Sequence, residues 1–377
     1  MVAPKIAVGL HIPPQPPLGA IRGLVLFARL SRLDSITVAD HLQGVFPTAL
    51  WDKEFLWIAA QNQSPHEYLE YQTLLGYLAS RAGKLRIGVG VTEPIRRHPV
   101  VLAQAMMTLS HMTKLPPILG IGAGERENIE PYGLDFSHPV DRLEEALQVI
   151  RLCFSSQGPI DFQGKYYQLE RAVMDLYSPA GKAPEVWIAS HGPRMLRLTG
   201  IYGDGWYPTT VASPEEYAAK LEAIRTSARK AGRDPEAITP ALQPYVAVAP
   251  TEQEAQAMLS TKAARYGALL FTSHEEWRKV GSEHPFGENF RGYVDFVPEQ
   301  YDRNTLEEAI AAVPSELVSS SFIWGTPEQV ASRLRAFGEA GLRHVVLTIT
   351  SALVSRRMAV YGLRATRSIA RSLNSRR

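Results

Sequence analysis

Along the chain, short β-branched apolar runs alternate with longer segments whose apolar residues recur every third or fourth position, the two periodicities of strand and helix. Eight runs read as strands: residues 5–10, 35–40, 85–92, 117–124, 186–190, 204–209, 244–249 and 344–350. The segments 98–112, 140–154, 193–203, 213–232 and 326–341 carry the helical spacing between them. Ser213-Pro214 and Thr326-Pro327 place a hydroxyl at an N-cap and proline at the first helical position, which marks two helix starts. Eight βα repeats predict a parallel sheet closed into a (β/α)8 TIM barrel.

The 377 residues exceed the roughly 250 of a minimal barrel, and three stretches fall outside the repeat: 42–63, 155–183 and 271–325. We read residues 1–377 as one domain with these insertions. The second contains Gly158–Leu169, whose glycines and aromatics predict a hairpin, and the aromatic-rich third is a candidate lid.

Composition narrows the function. The 45% hydrophobic share supplies a globular core, and 40 basic against 38 acidic residues give nucleic acid no electrostatic foothold. The single cysteine, Cys153, rules out an internal disulfide and a thiolate metal cluster. With no apolar stretch of about 18 residues and no leader-like start, a cytoplasmic protein without integral membrane contact is expected. No metal is expected either, since HExxH and paired CxxC motifs are missing. The arginines between Arg356 and Arg377 read as a solvated face.

In a barrel enzyme the chemistry stands at the strand C-termini. That filter selects His11, the pair Asp40-His41, Glu93, Gly124-Glu125, and the run Ser190-His191-Gly192-Pro193-Arg194. His41 titrates near neutrality and suits proton donation, with Asp40 beside it to orient it or raise its pKa. The glycines of 120–124 permit close backbone approach to a ligand but lack the third glycine of a dinucleotide fingerprint. Pro193 opens a helix whose free amides, backed by Arg194, form a site for a phosphate.

The strings ITVADH, GVGVTEPIRRHPVVLAQAMMTL, ILGIGAGERENIEPYG, VWIASHGPRMLRLTGIYGDGWYP and GTPEQVASRLRAF resemble, in order and spacing, the luciferase-like oxidoreductases. Asp40-His41 and Gly124-Glu125 resemble the branch that uses the deazaflavin coenzyme F420, and GERENIEPYG, ASHGPRML and EHPFGENF are most similar to its mycobacterial ketoreductases. The resemblance implies an F420-dependent oxidoreductase that passes hydride between deazaflavin and a small-molecule carbonyl or secondary alcohol. A flavin mononucleotide (FMN)-dependent monooxygenase is the alternative.

By the same resemblance Asp40, His41 and Glu125 border the reacting centre, with His41 as proton donor. Gly124, Asn128, Ser190, His191, Gly192 and Arg194 hold the cofactor, and a non-proline cis bond falls at Val89-Gly90 behind its ring. His11 and Trp277 are candidate substrate contacts. His11 stands where sugar-phosphate relatives carry an acid, so a hydrophobic ketone is expected rather than a sugar phosphate. The resemblance also implies a homodimer.

Overall fold

The computed structural model describes residues 5–374. Arg376 and Arg377 of the basic tail, and the first four residues of the start, lie outside them.

Eight parallel strands close into a barrel: β1 (Ala7–Ile12), β2 (Ser35–Val38), β3 (Arg86–Thr92), β4 (Ile118–Ile121), β5 (Glu185–Ile188), β6 (Gly205–Trp206), β7 (Thr239–Leu242) and β8 (His344–Ile349). Each pairs with the next, and β8 returns to β1 through Ala7 opposite His344. Helices cover the outside, and Ile36, Val38, Ile87, Leu119 and Ile121 pack beneath them in one apolar shell. Both marked helix starts hold. Ser213 Oγ accepts from the Glu216 amide, and Thr326 forms a capping box with Gln329. The Gly158–Leu169 hairpin also forms, pairing Ile160–Gln163 with Gln168–Ala172. Among the described residues no helix is long and apolar enough to cross a membrane.

Strand seven departs from the expectation. The β7 strand is Thr239–Leu242, a short segment whose proline hides it beside the richer apolar run that follows. Pro240 lacks an N–H, yet its carbonyl accepts from the Arg343 amide (2.9 Å), so the ladder beside β8 survives. The run expected at 244–249 is a separate strand, Tyr245–Val248, which pairs with the upper end of β8 and with a further parallel strand, Ile323–Gly325. There the wall opens into the third insertion, whose helices begin at Glu252 rather than near residue 271.

This insertion has its own core, including Leu269, Trp277, Phe290, Phe296 and Leu306. Leu50, from the first insertion, is buried in the same core. Polar ties fix the two together: Arg303 Nε donates to Ala49 O (2.9 Å), and Glu299 accepts from the Thr48 amide (2.6 Å).

Inside the barrel, alternate residues face inward and aromatic rings fill the bore. Lowest lies His344, whose Nε2 is 2.7 Å from Ser35 Oγ and whose ring meets Trp187 edge to face. Tyr207 stacks above, its ring 5.5 Å from Trp187 and its phenol 3.1 Å from Thr37 Oγ1. A Cβ on Gly90 would come within 2.9 Å of that phenol, so only glycine lets β3 close over this plug. The layer of Thr37, Tyr207 and Gly90 forms the floor of the mouth.

Candidate active site

His41 leaves β2 on an extended segment, where neighbouring side chains point to opposite sides. Asp40 therefore turns away from it. The Asp40 carboxylate is buried and takes hydrogen bonds from Thr92 Oγ1 (2.7 Å) and Arg97 (2.8 Å) and an ion pair from Arg96 (2.9 Å). The orienting role expected of Asp40 belongs to Glu127, which lies on a 3-10 turn after β4 with 1% of its surface exposed. His41 Nδ1 donates to Glu127 Oε1 (3.1 Å), and on the other side its Nε2 lies 3.9 Å from Glu125 Oε2.

Asn128 completes the turn. Its Oδ1 accepts from the Leu42 amide (2.8 Å), which fixes the orientation of the side-chain amide and sends Nδ2 to Glu127 Oε1 (3.0 Å). Nδ2 also approaches His41 Nδ1 to 2.9 Å. Because Nδ1 keeps its proton for Glu127, this is a contact between two donors sharing one acceptor. The loop after β2 is thereby stitched to the loop after β4. Gly124, at φ +98°, turns the chain between strand and loop where a Cβ would strike Ile129.

Burial alone would push His41 toward the neutral form. The hydrogen bond to Glu127 and the charges of Glu125, Glu127 and Asp40 outweigh it, so its pKa rises to about 9 instead of standing near neutrality. Glu125 moves the same way, raised by burial and by Glu127, against the charges of His41 and Arg96, to about 7. The ligand atoms of His41, Glu125 and Glu127 lie within 4.8 Å of one another, a spacing compatible with a metal ion. The hydrogen bond that commits Nδ1 to Glu127 favours a proton-holding set.

Aromatic rings wall this group. Tyr68 lies 5.5 Å from the His41 ring and Tyr293 meets it edge to face at 6.4 Å. The phenol of Tyr245, whose ring stacks on Phe271 at 3.9 Å, is held protonated by burial and by the charge of Glu125. Trp277 takes no part in this wall. Its indole donates to Thr272 (2.9 Å) and packs on His284 inside the insertion's own core.

The other candidates divide. His11 stands in β1 with Nδ1 3.0 Å from Thr37 Oγ1, on the floor. Gly90 lies in the same layer, and the cis bond is at Gly90-Val91, one residue beyond the expected Val89-Gly90. The repeat Gly88-Val89-Gly90-Val91 offers two registers, and Val89 points outward into the shell beneath the helices. Ser190 is buried, and its hydroxyl meets Thr199 Oγ1 (2.9 Å). His191 and Gly192 are exposed at the rim, where Gly192 caps the helix Pro193–Tyr202 without a side-chain hydrogen bond. The Arg194 guanidinium is not directed at that helix start. It pairs with Asp141 (2.5 Å) and Glu144 (2.9 Å) on the preceding helix. Glu93 is buried and paired to Arg96 (2.6 Å).

The chain is similar to several known proteins. The phthiodiolone/phenolphthiodiolone dimycocerosates ketoreductase of Mycobacterium bovis is 40% identical over 344 residues, 90% of either chain. The F420-dependent glucose-6-phosphate dehydrogenase of Nakamurella multipartita is 28% identical over 346 residues, 90% of this chain and 89% of that one. Among solved structures, an F420-dependent secondary alcohol dehydrogenase in complex with an F420-acetone adduct aligns with a TM-score of 0.75 at 22% identity, over 98% of this chain and 100% of the other. The FMN-bound oxygenating constituent of 3,6-diketocamphane monooxygenase from Pseudomonas putida reaches 0.65 at 17% identity, over 98% of each. A family profile described as luciferase-like monooxygenase matches residues 52–344. The chain belongs to this luciferase-like family.

Proposed function

We propose that the protein is a coenzyme F420-dependent oxidoreductase that reduces an apolar ketone to a secondary alcohol, or runs the reverse. One observation carries the reading: an imidazole set between two carboxylates at the mouth of the barrel, Nδ1 3.1 Å from Glu127 and Nε2 3.9 Å from Glu125. When bound, the deazaflavin supplies hydride to the carbonyl carbon, and its ring does not activate oxygen as a flavin does. As negative charge develops on the carbonyl oxygen, the Nε2 proton of His41 passes to it. Glu127 keeps Nδ1 protonated and the ring in place, and Glu125 stands on the donor side to stabilise the imidazolium. Tyr68, Tyr245 and Tyr293 exclude water and offer apolar faces to the substrate.

The residues present fit the cofactor. Gly90 lets β3 close tightly on the Tyr207 plug that floors the mouth, and nothing lies within 4 Å of a Cβ built on Gly192. The unpaired amides of the first helical turn there can receive a phosphate. Since the Arg194 charge is already shared by Asp141 and Glu144, that phosphate is held by backbone. Arg194→Ala is accordingly expected to weaken F420 binding by less than about 1 kcal/mol, the scale of an exposed ion pair. A larger loss in a fluorescence titration would return the arginine to the phosphate.

Anaerobic titration of the purified protein with F420 and with FMN, followed by turnover of reduced F420 with a panel of ketones, tests the reading. Tighter F420 binding with ketone-dependent reoxidation is expected. Preferential FMN binding, with oxygen-dependent turnover, would replace it with the monooxygenase.

A further inference from the structure

A second imidazole shares the mouth with His41, and its protonation pattern follows from a hydrogen-bond chain. His11 in β1 lies opposite Thr37 in β2. Thr37 Oγ1 sits between His11 Nδ1 (3.0 Å) and Tyr207 Oη (3.1 Å). Tyr207 is 1% exposed, and among the described residues Thr37 is the one hydrogen-bond partner of its phenol. A buried O–H left without an acceptor is costly, so the phenol donates to Thr37. The single hydroxyl proton of Thr37 then goes to the remaining neighbour, His11 Nδ1, which must be unprotonated to accept it.

A neutral imidazole carries its one proton on the other nitrogen. His11 is thereby locked as the Nε2–H tautomer. Burial and the charge of His41 hold its pKa down to about 3, which keeps it neutral. Among the described residues Nε2 has no partner, and His11 is only half-buried, on the upper layer of the bore.

We propose that His11 Nε2–H is a fixed, uncharged donor subsite for a carbonyl oxygen of the ligand in the barrel mouth. The inference rests on reading the mouth as a carbonyl-handling site. The two imidazoles divide the work: His41 carries a proton to give away, whereas His11 orients and polarises an oxygen without changing its own charge. That oxygen belongs either to the ketone or to the pyrimidinedione ring of the deazaflavin.

Two-bond proton–nitrogen NMR of the enzyme with nitrogen-15 histidine, the His11 signals assigned by their absence in His11→Leu, reads the tautomer without cofactor or turnover. A protonated Nε2 and a bare Nδ1 are expected, and Thr37→Val should abolish the preference by removing the donor to Nδ1. A protonated Nδ1 in the wild type overturns the proposal. In kinetics, His11→Leu removes one neutral hydrogen bond, roughly a fivefold effect. If the ketone is the partner, its KM rises by that factor while F420 affinity holds; if the deazaflavin is the partner, its Kd rises instead. No change in either constant overturns the donor role. Failure of the functional reading looks different, since the wild type would then turn over no ketone at all.

Discussion

His41→Asn is expected to lower turnover in ketone reduction at pH 7 by at least about 10²-fold, the ordinary contribution of a general acid. Asparagine keeps a polar group that Glu127 can still bind, so cofactor affinity should change by less than about threefold. The pH dependence carries the sharper test. The donor must be protonated in the free enzyme, and its pKa is raised to about 9. kcat/KM for reduction should therefore stay level through neutral pH and fall as His41 loses its proton above about 9. In His41→Asn this limb disappears. Glu125 is the rival acid, and because its pKa is raised only to about 7, a donor there would make the rate fall two pH units earlier.

Glu127→Gln separates holder from donor. It preserves a hydrogen-bonding side chain but removes the largest influence raising His41, so the falling limb should move to lower pH with kcat at pH 6 little changed. A limb that stays near 9 in this variant would remove Glu127 from the scheme. Rates measured from pH 6 to 10 decide all three cases.

The barrel was legible because buried parallel strands are near-continuous apolar runs, and five of them ended at residues whose chemistry needs explaining. Strand seven was not, because Thr239-Pro240-Ala241-Leu242 offers four residues and a proline beside the stronger Tyr245–Val248. In the site, one role was misassigned and one residue, Glu127, was missed. Sequence proximity suggested that Asp40 serves His41, but extended neighbours face opposite ways, and the partner comes instead from position 127, 86 residues on. In Glu125-Arg126-Glu127 nothing in the string distinguishes the carboxylate that opens to the mouth from the one that is sealed; the 3-10 turn does that.

Aromatic content pointed to the third insertion as a wall of the site, and there the choice of residue failed. Trp277 is the bulkiest candidate, and its bulk is what places it in the insertion's own core, tied to Thr272. The rings that reach His41 are tyrosines, Tyr68 just after the first insertion and Tyr293 within the third, which lie far apart in sequence and meet only when those two segments pack together. That packing depends on Leu50 entering the third insertion's core and on Arg303 and Glu299 gripping residues 48–52. No local periodicity encodes it.

Asp40→Asn should chiefly destabilise the protein, by about 3 kcal/mol, the range for removing one partner of a buried ion pair. The carboxylate is 6% exposed and satisfies Thr92, Arg96 and Arg97 together. An amide can accept one of these bonds but brings no charge, leaving Arg96 to Glu93 alone and Arg97 to the exposed end of Glu70. Arg96 also donates to the Asp40 carbonyl (3.0 Å), so the strand end itself should hold its course. Catalysis should suffer less. Asp40 touches neither nitrogen of His41, and its charge is the smallest of the influences that raise His41, so kcat below the unfolding temperature should stay within about tenfold of wild type. The upper limb of the pH profile should move slightly downward. Urea denaturation gives the stability change and steady-state kinetics the rate. An unchanged denaturation midpoint with a rate as low as that of His41→Asn would restore Asp40 to the orienting role that the structure assigns to Glu127.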